Sequence, residues 1–374
     1  MPSITDVPGV LVGHAEDREG LTGCTAILAM DGAVAGVDVR GSAPGTRETD
    51  LMRPCNLVEK VHAIMLAGGS AYGLDAACGA MKFLEERDVG FATGFGVVPI
   101  VGSAVIFDLD IGNPKARPDS EMGYLACKNA SSSQHAEGNV GAGLGATVGK
   151  LYGPRHAMKG GLGTWSIRLG AGNDPGGRQV PVVVGAIVVV NALGNIIDPK
   201  SGEIIAGAYN RDTGKFLSQT HETEEHASSK RGNSKYESSK RGSSKHGSSG
   251  SEHESSSSKY GSSGAGGFRG FAGNTTIGVV ATNAILSKEG ANKVAQMAHD
   301  GLARVIRPVH TMYDGDTVFT LSTGQASLTG DRAADISAVG EAAASAMEVA
   351  IIRGITNARG IKNACGLESI PDAK

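Results

Sequence analysis

GNTTIGVVATNA, residues 273–284, is a run of β-branched and small residues that opens on Gly-Asn-Thr-Thr. A run of this kind without polar alternation suits a strand covered on both faces. The strand then begins almost at Asn274 and occupies residues 277–284. Two other stretches have the same character: VPVVVGAIVVV at 180–190, which ends at Asn191, and residues 317–321. Residues 287–306 carry Val294, Met297, Ala298, Leu302 and Val305 on one helical face. Residues 331–353 repeat the pattern with Ile336, Val339, Ala343, Met347 and Ile351. Strand, helix, strand, helix over the last hundred residues predicts a layered α/β fold rather than a bundle. Further upstream, residues 58–67 read as a buried strand that enters Gly68-Gly69-Ser70 and then a helix over 71–86. A turn of that kind leaves backbone N–H groups free for an anion, or else Ser70 serves simply as the helix N-cap.

Directly before GNTT lies a different kind of chain. Of the 41 residues from His226 to Gly266, 16 are Ser and 7 are Gly, with SSK recurring at 228, 238, 243 and 257. Such a segment buries too little apolar surface to offset its ordering entropy, and it reads as a flexible insert at about 218–267. Its random-coil span is roughly 35 Å. His221, His226, His246 and His253 lie in or beside it, but their irregular spacing suits a solvated linker better than a metal site.

Composition narrows the function. The 374 residues are 40% hydrophobic but only 4% aromatic, with 56 glycines, so tight turns and close backbone packing replace bulky side chains. A formal charge of −3 without basic, aromatic-interleaved patches argues against nucleic acid. No basic-then-apolar leader and no run of about 18 apolar residues is present, which predicts a cytoplasmic protein without membrane contact. Cys24, Cys55, Cys78, Cys127 and Cys365 have neither CxxC nor metal-like spacing and read as buried reduced thiols. Gly141, Gly143 and Gly145 imitate a dinucleotide loop, but the run follows a polar stretch rather than a strand. No cofactor or metal is expected.

The chemistry concentrates at Thr275. A threonine hydroxyl is a weak nucleophile unless a base adjoins it, and a threonine at a chain start has a base in its own α-amine, of pKa near 8. Cleavage between Asn274 and Thr275 creates that amine; without cleavage, Asn-Thr-Thr is an ordinary strand start. Asp314 and Asp316 precede the 317–321 strand at i and i+2, on one face if extended, where two carboxylates can orient a hydroxyl and an ammonium. An Asp-Gly turn accounts for the same residues less completely. Lys159, before Gly160-Gly161, offers a donor to a developing oxyanion or stands in a solvated turn. Asn191 offers a side-chain N–H or caps its strand.

Taken together, ITDVPGVLVGHAED (4–17), TGCTAIL (22–28), DVRGSAPGTRETDLMRP (38–54), LAGGSAYGLDAACG (66–79), EGNVGAGLGATVGK (137–150), KGGLGT (159–164) and NTTIGVVATNA (274–284) resemble the DmpA/NylC-like family of self-processing aminopeptidases and amide-oligomer hydrolases. The resemblance covers nearly everything except about 212–270. It implies an N-terminal-nucleophile-hydrolase-like α/β/β/α sandwich, cut autocatalytically into an α chain, 1–274, and a β chain, 275–374, of one domain. It further implies a homotetramer of such units. By the same match Thr275 is the nucleophile, Asp314 and Asp316 are the acidic pair of the nylon-oligomer branch, and Lys159 and Asn191 are the family's Lys and strand-end Asn. The family's auxiliary Tyr falls near Phe107, so that role is absent here or passes to Tyr124.

The implied activity is release of N-terminal residues from small peptides or amides, with endo-type hydrolysis of 6-aminohexanoate oligomers as the alternative. Acyl transfer of the ornithine acetyltransferase kind and a non-catalytic binding role are the remaining readings. The composition of the insert generates a first prediction. Replacing residues 228–262 with a short Gly/Ser linker should leave the thermal melt and the hydrolytic rate unchanged, and loss of either shows that the segment folds or meets substrate.

Overall fold

In the computed structural model, residues 1–133, 135–217 and 273–361 are described, and they belong to one structural unit. The Ser-rich segment, with the expectations placed on it, and Cys365 lie outside the described residues; of the other cysteines, all free thiols, Cys24 and Cys127 are buried as expected but Cys55 and Cys78 are exposed. Nine strands form a single sheet: β1 (Leu11–Asp17), β2 (Thr22–Val39), β3 (Thr46–Arg47), β4 (Lys60–Ala67), β5 (Val101–Val105), β6 (Gly161–Asn173), β7 (Gln179–Asn191), β8 (Thr275–Ala284) and β9 (Thr317–Ala326). Their order is β6-β7-β8-β9-β2-β4-β5-β3, with β1 also paired to β2. Four helices cover it: α1 (Ala76–Glu85), α2 (Ser120–Lys128), α3 (Lys288–Val305) and α4 (Arg332–Thr356).

Alternation along the strands builds three cores and therefore four layers. On β7, Val182, Val184, Ala186, Val188 and Val190 face one way and pack with Val294, Ala298 and Leu302 of α3 and Val339, Ala343 and Met347 of α4. The intervening Val183, Ile187 and Val189 face the other way, joined by Ile277, Val279 and Ala281 of β8 and Phe319 and Leu321 of β9. Opposite them in the same core stand Ile27, Ala33 and Ala35 of β2 and Ile64 and Leu66 of β4. The two halves of the sheet thus pack face to face. Cys24, Ala26 and Leu28 of β2 and Ala63, Met65 and Ala67 of β4 turn outward onto α1 and α2. The strand period of two is what lets each strand serve two cores at once. The result is an α/β/β/α sandwich, as the family resemblance implies.

β2 makes the bend possible. Its residues 34–39 pair with β9, its residues 24–28 pair with β4, and the β2–β4 register shifts between Leu28 and Ala33. One 18-residue strand thereby belongs to both halves.

Most predicted elements stand within a few residues of their expected ends. Ser287 caps α3 through the Gly290 N–H, and Asp331 caps α4 through Ala333 and Ala334. The 68–86 region differs. Gly69 takes a left-handed φ of 80°, a 3-10 segment Ser70–Asp75 follows, and α1 begins only at Ala76. Ser70 caps nothing, and the N–H groups read as an anion cradle are already used: Gly69 donates to the Asp108 carboxylate (2.6 Å) and Ser70 to the Ile106 carbonyl (2.9 Å). Among the described residues no helix is long and apolar enough to cross a membrane.

Met347 lies wholly buried between α4 and the sheet, and its terminal methyl approaches Gly278 of β8. Met347→Ala should therefore lower unfolding free energy by about 2–5 kcal/mol, read from the denaturant midpoint at unchanged m-value.

Candidate active site

Thr275 opens β8, with β7 on one side and β9 on the other, and it faces Asn191 directly across the antiparallel β7–β8 register. The side chain is buried. Its hydroxyl donates to the carbonyl oxygen of Asn274, the residue it follows. That oxygen also accepts the Gly315 N–H at 3.0 Å, because Asn274 and Asp314 form a parallel bridge three residues before the β8–β9 pairing begins at Ile277 and Thr317. A side chain at 315 is excluded: a Cβ there would lie 2.8 Å from the Thr275 hydroxyl and 2.7 Å from the Ala43 carbonyl oxygen. Glycine at this position is what lets the backbone approach the Thr275 hydroxyl and the Asn274 carbonyl so closely.

The preceding carbonyl, Gly273, is held by two side chains. Asn191 Nδ2 donates to it at 3.3 Å and Lys150 Nζ at 3.1 Å. The Asn191 amide has only one available orientation, since its Oδ1 accepts the Thr147 N–H (3.0 Å) and Lys150 Nζ (2.8 Å), which directs Nδ2 to Gly273 and to the Phe107 carbonyl (3.1 Å). Lys150 additionally reaches the Asn191 backbone oxygen at 3.2 Å. Burial lowers its pKa to about 8, against the opposing pull of Asp110, Asp314 and Asp108.

The two acids occupy different niches at the same strand end, both buried. Asp316 accepts the Thr276 N–H on Oδ1 (2.7 Å), while its Oδ2 takes Nδ1 (2.8 Å) and N–H (3.2 Å) of His310. The His310 ring stands edge-on to His299, centroids 4.8 Å apart, and burial depresses the His299 pKa to about 4, which keeps that neighbour uncharged at neutral pH. Asp314 Oδ2 accepts the Thr311 N–H (2.7 Å) and hydroxyl (2.6 Å). Burial, and then the nearby Asp316 charge, push the Asp314 carboxyl above the usual carboxylate range. Gly41 and Ala43 close the back of the pair through the carbonyls of Asp316 and Asp314.

Of the residues singled out in the sequence, Asn274, Thr275, Asn191, Asp314 and Asp316 gather here. Lys159 stands one step back, its ammonium taken up by the carbonyls of Gly143 (2.9 Å), Ala146 (2.8 Å) and Gly160 (2.6 Å). Those three acceptors match its three donors. Burial lowers its pKa to about 7. Tyr124 points elsewhere, to Glu86 (2.7 Å) and the edge of Phe83. The aromatic beside Asn274 and Thr275 is Phe107, whose ring lies against Gly273. Lys150 and His310 escaped sequence reasoning. Lys150 ends the GATVGK stretch, and a lysine ending a glycine-rich run was the only signal it gave.

A four-layer sandwich whose central strand begins with a hydroxyl residue against the preceding carbonyl has the architecture of the N-terminal-nucleophile hydrolases. Solved structures bear out the fold. The L-aminopeptidase D-Ala-esterase/amidase of Ochrobactrum anthropi, a variant of the Ntn-hydrolase fold, superposes with a TM-score of 0.67 at 17% identity, covering 100% of this chain and 91% of that one. A Burkholderia sp. β-aminopeptidase gives 0.62 at 21% identity, with 100% and 92% covered.

Residues 2–368 match peptidase family S58, and the chain belongs to that family. An uncharacterized aminopeptidase of Mycobacterium bovis is 40% identical over 376 residues, covering 96% of this chain and 95% of its own length. The 6-aminohexanoate-oligomer endohydrolase of Kocuria sp. is 32% identical over 323 residues, 86% of this chain and 75% of the relative. The protein is a hydrolase of peptide or amide bonds.

The niches of the two acids generate a prediction about charge. Asp314→Asn and Asp316→Asn keep shape while removing the carboxylate, and each should cut turnover by about 10²-fold or more, the scale of a lost acid–base or orienting partner. Rates must be compared per processed chain, since the same groups adjoin the Asn274–Thr275 bond. Wild-type turnover in both variants would reduce the pair to a structural turn.

Proposed function

We propose that this chain is an autocatalytically processed N-terminal-threonine amide hydrolase. The observation that carries the reading is the contact of the Thr275 hydroxyl with the Asn274 carbonyl oxygen, on which the Gly315 N–H also converges. In the self-cutting step the Thr275 oxygen bonds to the Asn274 carbonyl carbon, the carbon–nitrogen bond breaks, and the proton lost by the hydroxyl passes to the departing nitrogen. Charge that develops on the Asn274 oxygen is met by the Gly315 N–H. Water then hydrolyses the ester, releasing the Asn274 carboxylate and restoring the Thr275 hydroxyl beside a free α-amine.

The new amine, with a pKa of about 8, accepts the hydroxyl proton when the next carbonyl is attacked. A substrate amide follows the same course: its acyl group joins the Thr275 oxygen, its amine leaves with a proton, and water clears the ester. Asp316 holds the Thr276 N–H and so sets the start of β8, Asp314 lies beside the scissile segment, and Asn191 presents its amide N–H. Lys159 acts through the backbone, holding the carbonyls of the loop that supplies Thr147 to Asn191. Small peptides or amides that lose an N-terminal residue are the substrates favoured by the aminopeptidase relatives; the endohydrolase relatives favour amide oligomers.

Intact-mass analysis of the denatured protein should show fragments of 274 and 100 residues, the smaller beginning Thr-Thr-Ile on Edman sequencing. Thr275→Ala should remain a single chain, while Thr275→Ser, which keeps both hydroxyl and future amine, should still be cut. A different new N-terminus would refute the nucleophile assignment.

A further inference from the structure

The Asp316 carboxylate is held on both sides. Oδ1 accepts the Thr276 N–H at 2.7 Å, and Oδ2 accepts two donors of a single residue, the backbone N–H of His310 at 3.2 Å and its ring Nδ1 at 2.8 Å. The Asp316 backbone is fixed separately, since its carbonyl accepts the N–H groups of Arg40 (3.0 Å) and Gly41 (3.1 Å). What remains for His310 to set is the rotation of the carboxylate. That rotation matters because the Thr276 N–H belongs to the peptide that leaves Thr275, so the acid fixes the Cα from which the hydroxyl and the proposed amine both project.

We infer that His310 is a positioning residue for the Thr275 nucleophile: its ring N–H turns the Asp316 carboxylate onto the Thr276 N–H and thereby places the Thr275 hydroxyl. This rests on the nucleophile proposed above.

Three observations fit the ring to this task. The first is the direction of the hydrogen bond. A carboxylate oxygen that already takes a backbone N–H accepts again from the ring, so Nδ1 is the donor. The other ring nitrogen, Nε2, is buried and has no hydrogen-bond partner among the described residues. A neutral ring leaves only a lone pair there, whereas a charged ring would bury an N–H that nothing accepts, which is the costlier case. His310 therefore orients the acid as a neutral donor.

The second observation is that the ring is confined. It stands edge-on to His299, centroids 4.8 Å apart, and His299 is itself fully buried and anchored through Nε2 to the Asp38 carbonyl at 3.0 Å. The third is backbone strain. His310 takes a left-handed φ of 54°, a conformation that side-chain-bearing residues seldom adopt and that persists where the surroundings over-determine it, commonly at active sites. In that conformation the N–H and the ring of one residue converge on one oxygen. The backbone N–H alone is enough to tether the loop; the ring adds control of the carboxylate.

The test uses full-length chains, counts processed protein by mass spectrometry and reads kcat per processed chain on an aminoacyl p-nitroanilide. His310→Gly removes the ring alone, since glycine enters the left-handed region freely and keeps its backbone N–H. Its kcat should fall about 10- to 100-fold, the scale of a misplaced reacting group, with KM within about threefold of wild type. His310→Asn puts an amide N–H in the place of Nδ1 and tolerates the same φ, so it should restore kcat to within about fivefold of wild type. In an Asp316→Asn background, His310→Gly should cost less than about threefold more, because its effect runs through that acid. The assignment is overturned by a His310→Gly kcat within about threefold of wild type, by a His310→Asn variant no faster than His310→Gly, or by additive losses in the double variant. If His310→Gly does not fold or stays uncut, His310→Asn and His310→Gln decide, since their amides put the donor in the places of Nδ1 and Nε2 respectively. The Gln variant should then be at least about tenfold slower, and equal rates overturn the assignment. Failure of the nucleophile reading is distinct: the Thr-Thr-Ile terminus is then missing from wild type itself.

Discussion

The interaction on which the centre depends is the buried Asn191 amide, pinned on its oxygen side so that its nitrogen side can point only one way. An amide buried at the end of an apolar strand is costly unless each of its polar atoms finds a partner. Here the Thr147 N–H and the Lys150 ammonium satisfy Oδ1, and the Phe107 and Gly273 carbonyls satisfy Nδ2. Four separate stretches of chain therefore meet at one side chain. The glycine-rich loop before Thr147, the extended segment at Phe107 and the start of β8 are placed relative to one another by that requirement. The sandwich supplies the rigid end of β7 from which the amide projects.

The low aromatic content finds its explanation in the same architecture. The outer pair α1 and α2 approach so closely that a Cβ on Gly79 would lie 1.9 Å from the Ser120 carbonyl oxygen, and one on Gly123 1.9 Å from that of Ala76. Alanines such as Ala76, Ala77, Ala80 and Ala126 make up much of that layer's core. Close-packed backbones recover by proximity the dispersion contacts that larger side chains supply elsewhere.

The fold was legible where periodicity is local. The valine run of β7, the β8 run and the two C-terminal helices announce themselves, and both helices begin within a residue of where the sequence places them. The turn at Gly69 was misread because its partner, Asp108, lies 39 residues away and takes an N–H that looked available. Asn274, Thr275, Asn191 and the acidic pair were legible as residues at strand ends. Lys150 was not, because the acceptors that give it meaning lie 41 and 123 residues further along the chain. His310 was hidden differently: its partner Asp316 lies only six residues on, but no periodicity or motif marks the pair. Lys159 and Lys150 carry the same side chain nine residues apart, and only the count of carbonyls around each ammonium tells them apart.

The position of β8 also governs what the proposed cut before Thr275 would do to the molecule. β8 lies between β7 from the first fragment and β9 from the second, and β9 in turn borders β2 from the first. The fragments are interleaved strand by strand, and the central apolar layer draws on both. Such a division would change a covalent boundary without creating a physical one: the first piece would carry α1 and α2 and the second α3 and α4, but the core between the two halves of the sheet needs strands from both. Before the cut, folding is the affair of a single chain, at a rate independent of how much protein is present. Afterwards, recovery from full denaturation becomes a bimolecular encounter that slows on dilution. An undivided chain would thus find this structure alone, whereas the two proposed pieces would have to keep it by never letting go.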